Sequence, residues 1–168
     1  MKQARRQASV GRGYTLIEVL IVVTIVGIAG AVVVPAMLSA GSLGVQAASR
    51  MIIADLLYAQ NDAVAKQRVR TVKFDVFADS YNLRDEDDKM LHAQWMGGSD
   101  ENYIVDFQND SRFDGVNITK VDFDGDAEVS FDELGAPSSG GVIELEFESE
   151  AYRINVASFT GKVTIERM

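Results

Sequence analysis

The feature that most constrains this chain is an apolar run near its start. Val19 to Leu38 reads VLIVVTIVGIAGAVVVPAML, 20 residues without a charge. As a helix rising ~1.5 Å per residue it spans roughly 30 Å, the thickness of a bilayer's hydrocarbon core. A helix buried in a soluble domain is rarely apolar all round for so long. The flanks add a direction. Residues 1–13 contain Lys2, Arg5, Arg6 and Arg12 and no acid, whereas the remainder holds 12 basic against 25 acidic residues. Basic residues on one side only place that side in the cytoplasm and the acidic body across the membrane. A secretory signal also begins basic and apolar, but it expects a shorter core and a small-residue cleavage site, and none is clear here. Glu18 stands at the lip of the run. A charge at the centre of a spanning helix costs roughly 3 kcal/mol, and less near the interface.

Composition narrows the chemistry. With 168 residues the chain has room for one compact domain and an appendage. Hydrophobic residues make up 47%, which argues against disorder, and the acidic body argues against holding polyanions. Arg153, Lys162 and Arg167 near the end are too few to bind nucleic acid. There is no cysteine, so disulfides and thiolate metal sites are excluded. The lone histidine, His92, has no nucleophile motif beside it and reads as a surface or loop residue. No carboxylate pair is singled out, so no catalytic residue and no cofactor are expected.

Beyond the apolar run, Pro35, Gly41 and Gly44 predict a bend or loosened segment. Helical periodicity then resumes: Ile52, Leu56, Ala59 and Ala63 share one face, and Arg50, Asp55, Asp62 and Lys66 punctuate the polar side. One interrupted helix from about Tyr14 to about Gln67 is expected. From Arg70 the period changes to two, with Val72, Phe74 and Val76, then Tyr81–Leu83, then Tyr103–Phe107. Asp85–Asp88 reads as a solvated acidic loop. Gly97–Ser99 reads as a turn. Asp122, Asp124, Asp126 and Glu133 fall at the acidic positions of a calcium loop, but Ala127 stands where that loop needs glycine. A β-hairpin turning at Asp124–Asp126 is the favoured alternative, with no metal. Ile143–Phe147, Tyr152–Val156 and Lys162–Glu166 alternate as consecutive antiparallel strands. The fold class is α+β: a long N-terminal helix on an antiparallel β-sheet domain.

Gly11–Leu20, GRGYTLIEVL, resembles the cleavage and methylation signature of type IV pilins and type II secretion pseudopilins. That resemblance implies a cut after Gly13 by a prepilin peptidase, N-methylation of Tyr14 (where the family usually has Phe), subunit assembly through Glu18, and a helix-loosening proline at Pro35. Cleavage would free a cationic α-amine on Tyr14, which Glu18 of a neighbour could neutralise. Arg50…Asp55-Leu56…Ala59-Gln60…Ala63-Val64, Phe131–Pro137 with Gly140-Gly141, and Phe159–Val163 resemble the GspH/FimT family of minor pseudopilins and minor pilins. The implied organisation is a leader at 1–13, a transmembrane and assembly helix at 14–40, a continuing helical spine at 41–69 and a periplasmic β-rich domain at 70–168, folded as a two-sheet sandwich. The implied partners are other pseudopilins or pilins, the prepilin peptidase and the inner membrane, with secreted proteins as further candidates. Residues 85–113 match no motif.

Overall fold

The computed structural model describes residues 14–92, 102–113 and 115–168, with backbone alone for residues 32–42. Gly13 and the Gly97–Ser99 turn lie outside these residues. One helix, α1 (Leu16–Lys66), is followed by eight strands: β1 (Arg70–Asp75), β2 (Ser80–Arg84), β3 (Ile104–Asp106), β4 (Asn117–Asp122), β5 (Glu128–Phe131), β6 (Gly141–Phe147), β7 (Glu150–Val156) and β8 (Val163–Arg167). The expected interruption is not found: the helix runs through Pro35, Gly41 and Gly44 without a break. The chain divides into two compact units, residues 1–38 and 39–168.

The second unit is an α+β domain. Its strands form two antiparallel four-stranded sheets, ordered β3-β2-β1-β5 and β4-β6-β7-β8. The second contains the consecutive β6-β7-β8 meander that the alternation foretold, with Glu144 opposite Arg153 and Arg153 opposite Glu166. Those three side chains pair across the strands, Arg153 reaching both carboxylates. The helix contributes Val45, Ala48, Ile52, Leu56, Ala59 and Ala63, spaced by three or four residues and fully buried. They share one core with Val72, Tyr81, Leu83 and Phe131 of the first sheet and Ile143, Leu145 and Ile154 of the second.

Two further expectations require correction. Asp55 does not lie on the polar side of the helix. It is 5% exposed, because its carboxylate accepts the hydroxyls of Tyr81 and Tyr103, each at 2.5 Å. Nor do Asp122–Phe131 form a hairpin. β4 pairs with β6 and β5 pairs with β1, so the segment carries the chain from one sheet to the other. A tight turn bridging Phe123 and Asp126, with Asp122 accepting from the Gly125 N–H, makes the crossing.

Gln60 is the fastener of the second unit. Its amide donates to the carbonyls of Gly135 at 2.7 Å and Thr160 at 3.1 Å, joining two loops that lie far apart in sequence. Both loops come close to the helix because they carry glycine. A Cβ on Gly135 would stand 2.9 Å from Val64, and one on Gly161 would stand 2.5 Å from the Gln60 amide; both residues also have positive φ. The segments that hold the family resemblance in the body are thus largely the two loops clamped by one helix residue.

Candidate functional site: the N-terminal assembly face

The head of α1 is built by a local cap. Thr15 precedes the first helical residue, and its hydroxyl accepts the Glu18 backbone N–H at 3.3 Å. Thr15-Leu16-Ile17-Glu18 has the capping-box order, in which a hydroxyl at the cap and an acid three residues later serve the free N–H groups of the first turn. Glu18 therefore has a local reason to be there: a carboxylate in the first turn interacts favourably with the positive end of the helix. The cap was not anticipated from the sequence, although its spacing was there to be read.

Around this head the surface is apolar and open. Tyr14 is 82% exposed, and Ile17, Val19, Leu20, Ile21, Val22 and Val23 are all exposed as well. Tyr14, Glu18, Val19, Val22 and Val23 line one shallow groove along the helix, which sets the single carboxylate beside the aromatic ring in an otherwise aliphatic wall. Further along, the Thr24 hydroxyl donates back to the Leu20 carbonyl at 2.8 Å, so it needs no water. A helix with this surface cannot be an end state in water; it requires lipid or other helices. Among the described residues no helix is long and apolar enough to cross a membrane. The described side chains of the apolar run end at Ala31, short of the 20 residues that the sequence provides. Pro35 has no described side chain.

The other candidates do not assemble into a site. Among the described residues no group of three or more His, Asp or Glu side chains is placed to hold a metal. Asp122, Asp124 and Asp126 serve the sheet-crossing turn, and Glu133 belongs to the loop after β5. Asp85 is tied into its own turn, accepting the N–H groups of Asp87 and Lys89. Arg68, Arg84 and Lys89 pair with the neighbouring acids Glu86, Asp88 and Asp87. His92 is exposed, bridging to Asn102. Among the basic residues after Tyr14, all but Arg50 and Lys162 pair with a carboxylate among the described residues. The field that a phosphate backbone would feel is thus weaker than the count of lysines and arginines implies.

Residues 11–34 match the prokaryotic N-terminal methylation motif. The minor pseudopilin EpsH from the type 2 secretion system of Vibrio cholerae aligns over 73% of this chain and 96% of its own, at 10% identity and a TM-score of 0.55. The fold is that of the pilin-like subunits. A second EpsH structure covers 73% of this chain and 92% of its own, with a TM-score of 0.54 at 10% identity. The type IV minor pilin FimU of Pseudomonas aeruginosa covers 73% and 87%, with a TM-score of 0.51 at 14% identity. At these identities the likeness is one of fold. No curated protein sequence matches the chain. In this pilin-like chain the methylation motif covers Tyr14 and Glu18, so the exposed head of α1 and the motif coincide.

Proposed function

We propose that the chain is a minor pseudopilin of a type II secretion system. A prepilin peptidase cuts after Gly13 and methylates the new amine of Tyr14, and the processed subunit joins a short periplasmic fibre through the head of α1. Before assembly it is anchored in the inner membrane by that helix, with its N-terminus cytoplasmic and its acidic domain periplasmic. In the fibre it stands at the tip and helps drive exported proteins outward. The observation that supports this reading is the methylation motif on the capped, exposed, apolar head of a pilin-like fold. A fibre of packed stems gives the aliphatic wall its cover, and Glu18 of one subunit meets the Tyr14 amine of the next, so neither charge is buried alone.

Mass spectrometry of the mature chain tests processing. The expected N-terminus is Tyr14 carrying one methyl group, and an intact leader in cells with an active peptidase sinks the reading. Glu18→Ala tests assembly: incorporation into fibres is expected to fall at least tenfold with domain melting unchanged, and full incorporation overturns the charge-pairing step.

A minor type IV pilin is the second reading, favoured by the likeness to FimU. Deleting the gene decides between the two. Loss of exoprotein secretion supports the pseudopilus, and loss of surface pili with secretion intact supports the pilus. Uptake of DNA is disfavoured in either case by the paired arginines and the acidic body.

A further inference from the structure

The two sheets end in the edge strands β3 and β5, and β4 and β8. An edge strand presents a row of unpaired N–H and C=O groups, and folded proteins blunt such rows to keep other chains from pairing with them. β3 is only three residues long. β4 is interrupted by a register shift between Ile118 and Lys120. β5 is covered by the loop that follows it, where Pro137 bridges to Phe131 and the Ser138 N–H donates to the Ser130 carbonyl at 2.7 Å. β8 has no such device: its register is unbroken from Val163 to Arg167, and Thr164 to Arg167 are exposed. Its charges do not fend off a strand either. Arg167 is drawn to Glu150 and Glu166 to Arg153, both within the same sheet.

The ladder fixes which groups face outward. The Lys162 carbonyl accepts from Ala157 and the Met168 N–H donates to Ala151, so the even-numbered residues of β8 bond to β7. Val163, Ile165 and Arg167 therefore aim their backbone groups away from the sheet. Lys162, Thr164 and Glu166 share one face of the strand. Across that face Glu144, Arg153 and Glu166 stand opposite one another on successive strands, so the row reads acid, base, acid and stops at the edge. Lys162 has no carboxylate partner among the described residues.

We propose that β8 pairs antiparallel with β8 of a second copy of this chain, about a two-fold axis between the two Thr164 residues. In that register Lys162 stands opposite Glu166 of the second copy, so each charge row gains the base missing at its end. Lys162–Glu166 and Thr164–Thr164 fall at the closer, non-hydrogen-bonded positions, while Val163 and Ile165 exchange the backbone hydrogen bonds on either side of the axis. Ile165, 41% exposed in the single chain, is covered by Val163. The register centred on Ile165 instead sets Thr164 against Glu166 and leaves Lys162 facing Met168. The 12 basic against 25 acidic residues after Gly13 oppose any two copies, but charges more than about 8 Å apart are screened at physiological ionic strength. Lys162 and Glu166 meet within that distance. A two-fold contact uses the same strand on both copies and closes on itself, whereas a fibre grows through heterologous contacts that repeat. The pair is thus a reserve state outside the fibre, which opens before the subunit is incorporated. That role rests on the reading of the chain as a fibre subunit; the pairing does not.

The absence of cysteine makes the test direct. Thr164→Cys, Ile165→Cys and Phe77→Cys are made separately in the full chain in its native cells and oxidised with diamide. Phe77 is the control, being fully exposed on the β1–β2 turn. Thr164→Cys should give a disulfide-linked homodimer at least tenfold above the other two, because only Thr164 meets itself across the axis. More dimer from Ile165→Cys, a yield equal to the control, or a mixed disulfide with a different protein overturns the pairing. Charge supplies a second arm. Lys162→Glu sets acid against acid on both sides of the axis and should lower the Thr164→Cys dimer tenfold with domain melting unchanged. Glu166→Lys sets base against base and should do the same, yet the two variants expressed together restore both oppositions and should recover the dimer. An undiminished dimer in either variant, or no recovery together, overturns the register. Should Glu166→Lys fold poorly after leaving Arg153, Lys162→Arg carries the arm: it should keep the dimer that Lys162→Glu loses. The oxidised Thr164→Cys dimer should be absent from sheared fibres, and its presence there overturns the reserve state. The mature N-terminus is measured in the same sample. An unprocessed chain sinks the fibre reading and leaves the pairing standing, whereas a processed chain without the dimer sinks the pairing alone.

Discussion

The two ends of α1 have the same backbone and opposite surfaces. From Tyr14 to Ala31 the helix is exposed and apolar on every side, whereas from Val45 to Ala63 it buries one stripe and gives its other faces to water. The second half follows the three-four spacing of a helix that lies on its own domain, with Ala48, Ala59 and Ala63 small enough to bring strands and loops close. The first half has no such period, the pattern of a helix that lipid or other helices would surround equally. Periodicity thus reports who the neighbour is: a period of 3.6 announces an internal partner, and its absence over a long apolar run announces an external one. Polar groups divide in the same way. In the stem they are satisfied locally, Thr15 by its cap and Thr24 by the turn above it, whereas in the domain Asp55, Gln60 and Asp79 reach 20 residues or more along the chain.

The largest effect expected from that division is at Asp55. Asp55→Ala leaves the Tyr81 hydroxyl buried without its acceptor and removes the oxygen on which Tyr103 closes. At 1–3 kcal/mol for a buried polar group deprived of its partner, the domain should lose about 3 kcal/mol. For a domain of this size that is a drop of roughly 10 °C in Tm, checked by thermal melting of the full chain in detergent. Processing at Gly13 should continue at the wild-type rate. An unchanged Tm would mean that the tyrosines find other acceptors and that the network does not join helix to sheet.

Most of the architecture was legible because it rests on patterns that survive in one dimension. The apolar run, the buried stripe at Ile52–Ala63 and the alternation in β6, β7 and β8 each arise from one element meeting one solvent or one core. What was not legible depends on pairing across distance. Val121 and Phe123 before the turn, with Val129 and Phe131 after it, look like a hairpin, yet β6 and β1 compete for those strands and win. Asp55 sits next to Leu56 and looks like an ordinary helix acid until two tyrosines from other strands and loops converge on it. At the head of α1 the motif residues Tyr14 and Glu18 were readable at once, while the role of Thr15 needed the geometry of the first turn.

A middle-sized effect should appear on acidification. Burial raises the Asp62 carboxyl, but hydrogen bonds and charge from Arg70 and Lys66 outweigh it and hold the group below its ordinary value near 3.8. A depressed folded value means that this pair's stabilisation is fully present above the ordinary carboxylate range and is lost as pH falls through the depressed value. At Asp55 the sign is reversed. Desolvation outweighs the two tyrosine hydrogen bonds and raises its carboxyl, so its contribution is present below the ordinary value and is lost as pH rises through the raised one. Urea midpoints of Asp62→Asn and Asp55→Asn against wild type, taken from pH 3 to 7, should therefore diverge in opposite directions. The penalty at Asp62 should shrink toward low pH, and the penalty at Asp55 should shrink toward high pH. Parallel curves would show that one of the two carboxylates does not change its environment on folding.

The smallest effect, and the cleanest separation of the two regions, is expected at Thr15. Thr15→Ala removes the side-chain acceptor of the Glu18 N–H and should cost about 1 kcal/mol of helix stability, confined to the first turn. The loss is local because the groups involved lie within three residues of each other. Amide exchange at Glu18 in micelles should accelerate about fivefold, the Boltzmann equivalent of that energy, while exchange in β1 and β6 and the domain Tm stay at wild-type values. Thr15→Ser keeps the hydroxyl and should restore most of the protection. If Thr15→Ala lowered the domain Tm as Asp55→Ala does, the cap would be coupled to the core, and the contrast between a locally satisfied stem and a tertiary-satisfied domain would fail. If instead exchange at Glu18 did not change, the Thr15 carbonyl, which also accepts that N–H at 3.1 Å, would be holding the first turn by itself.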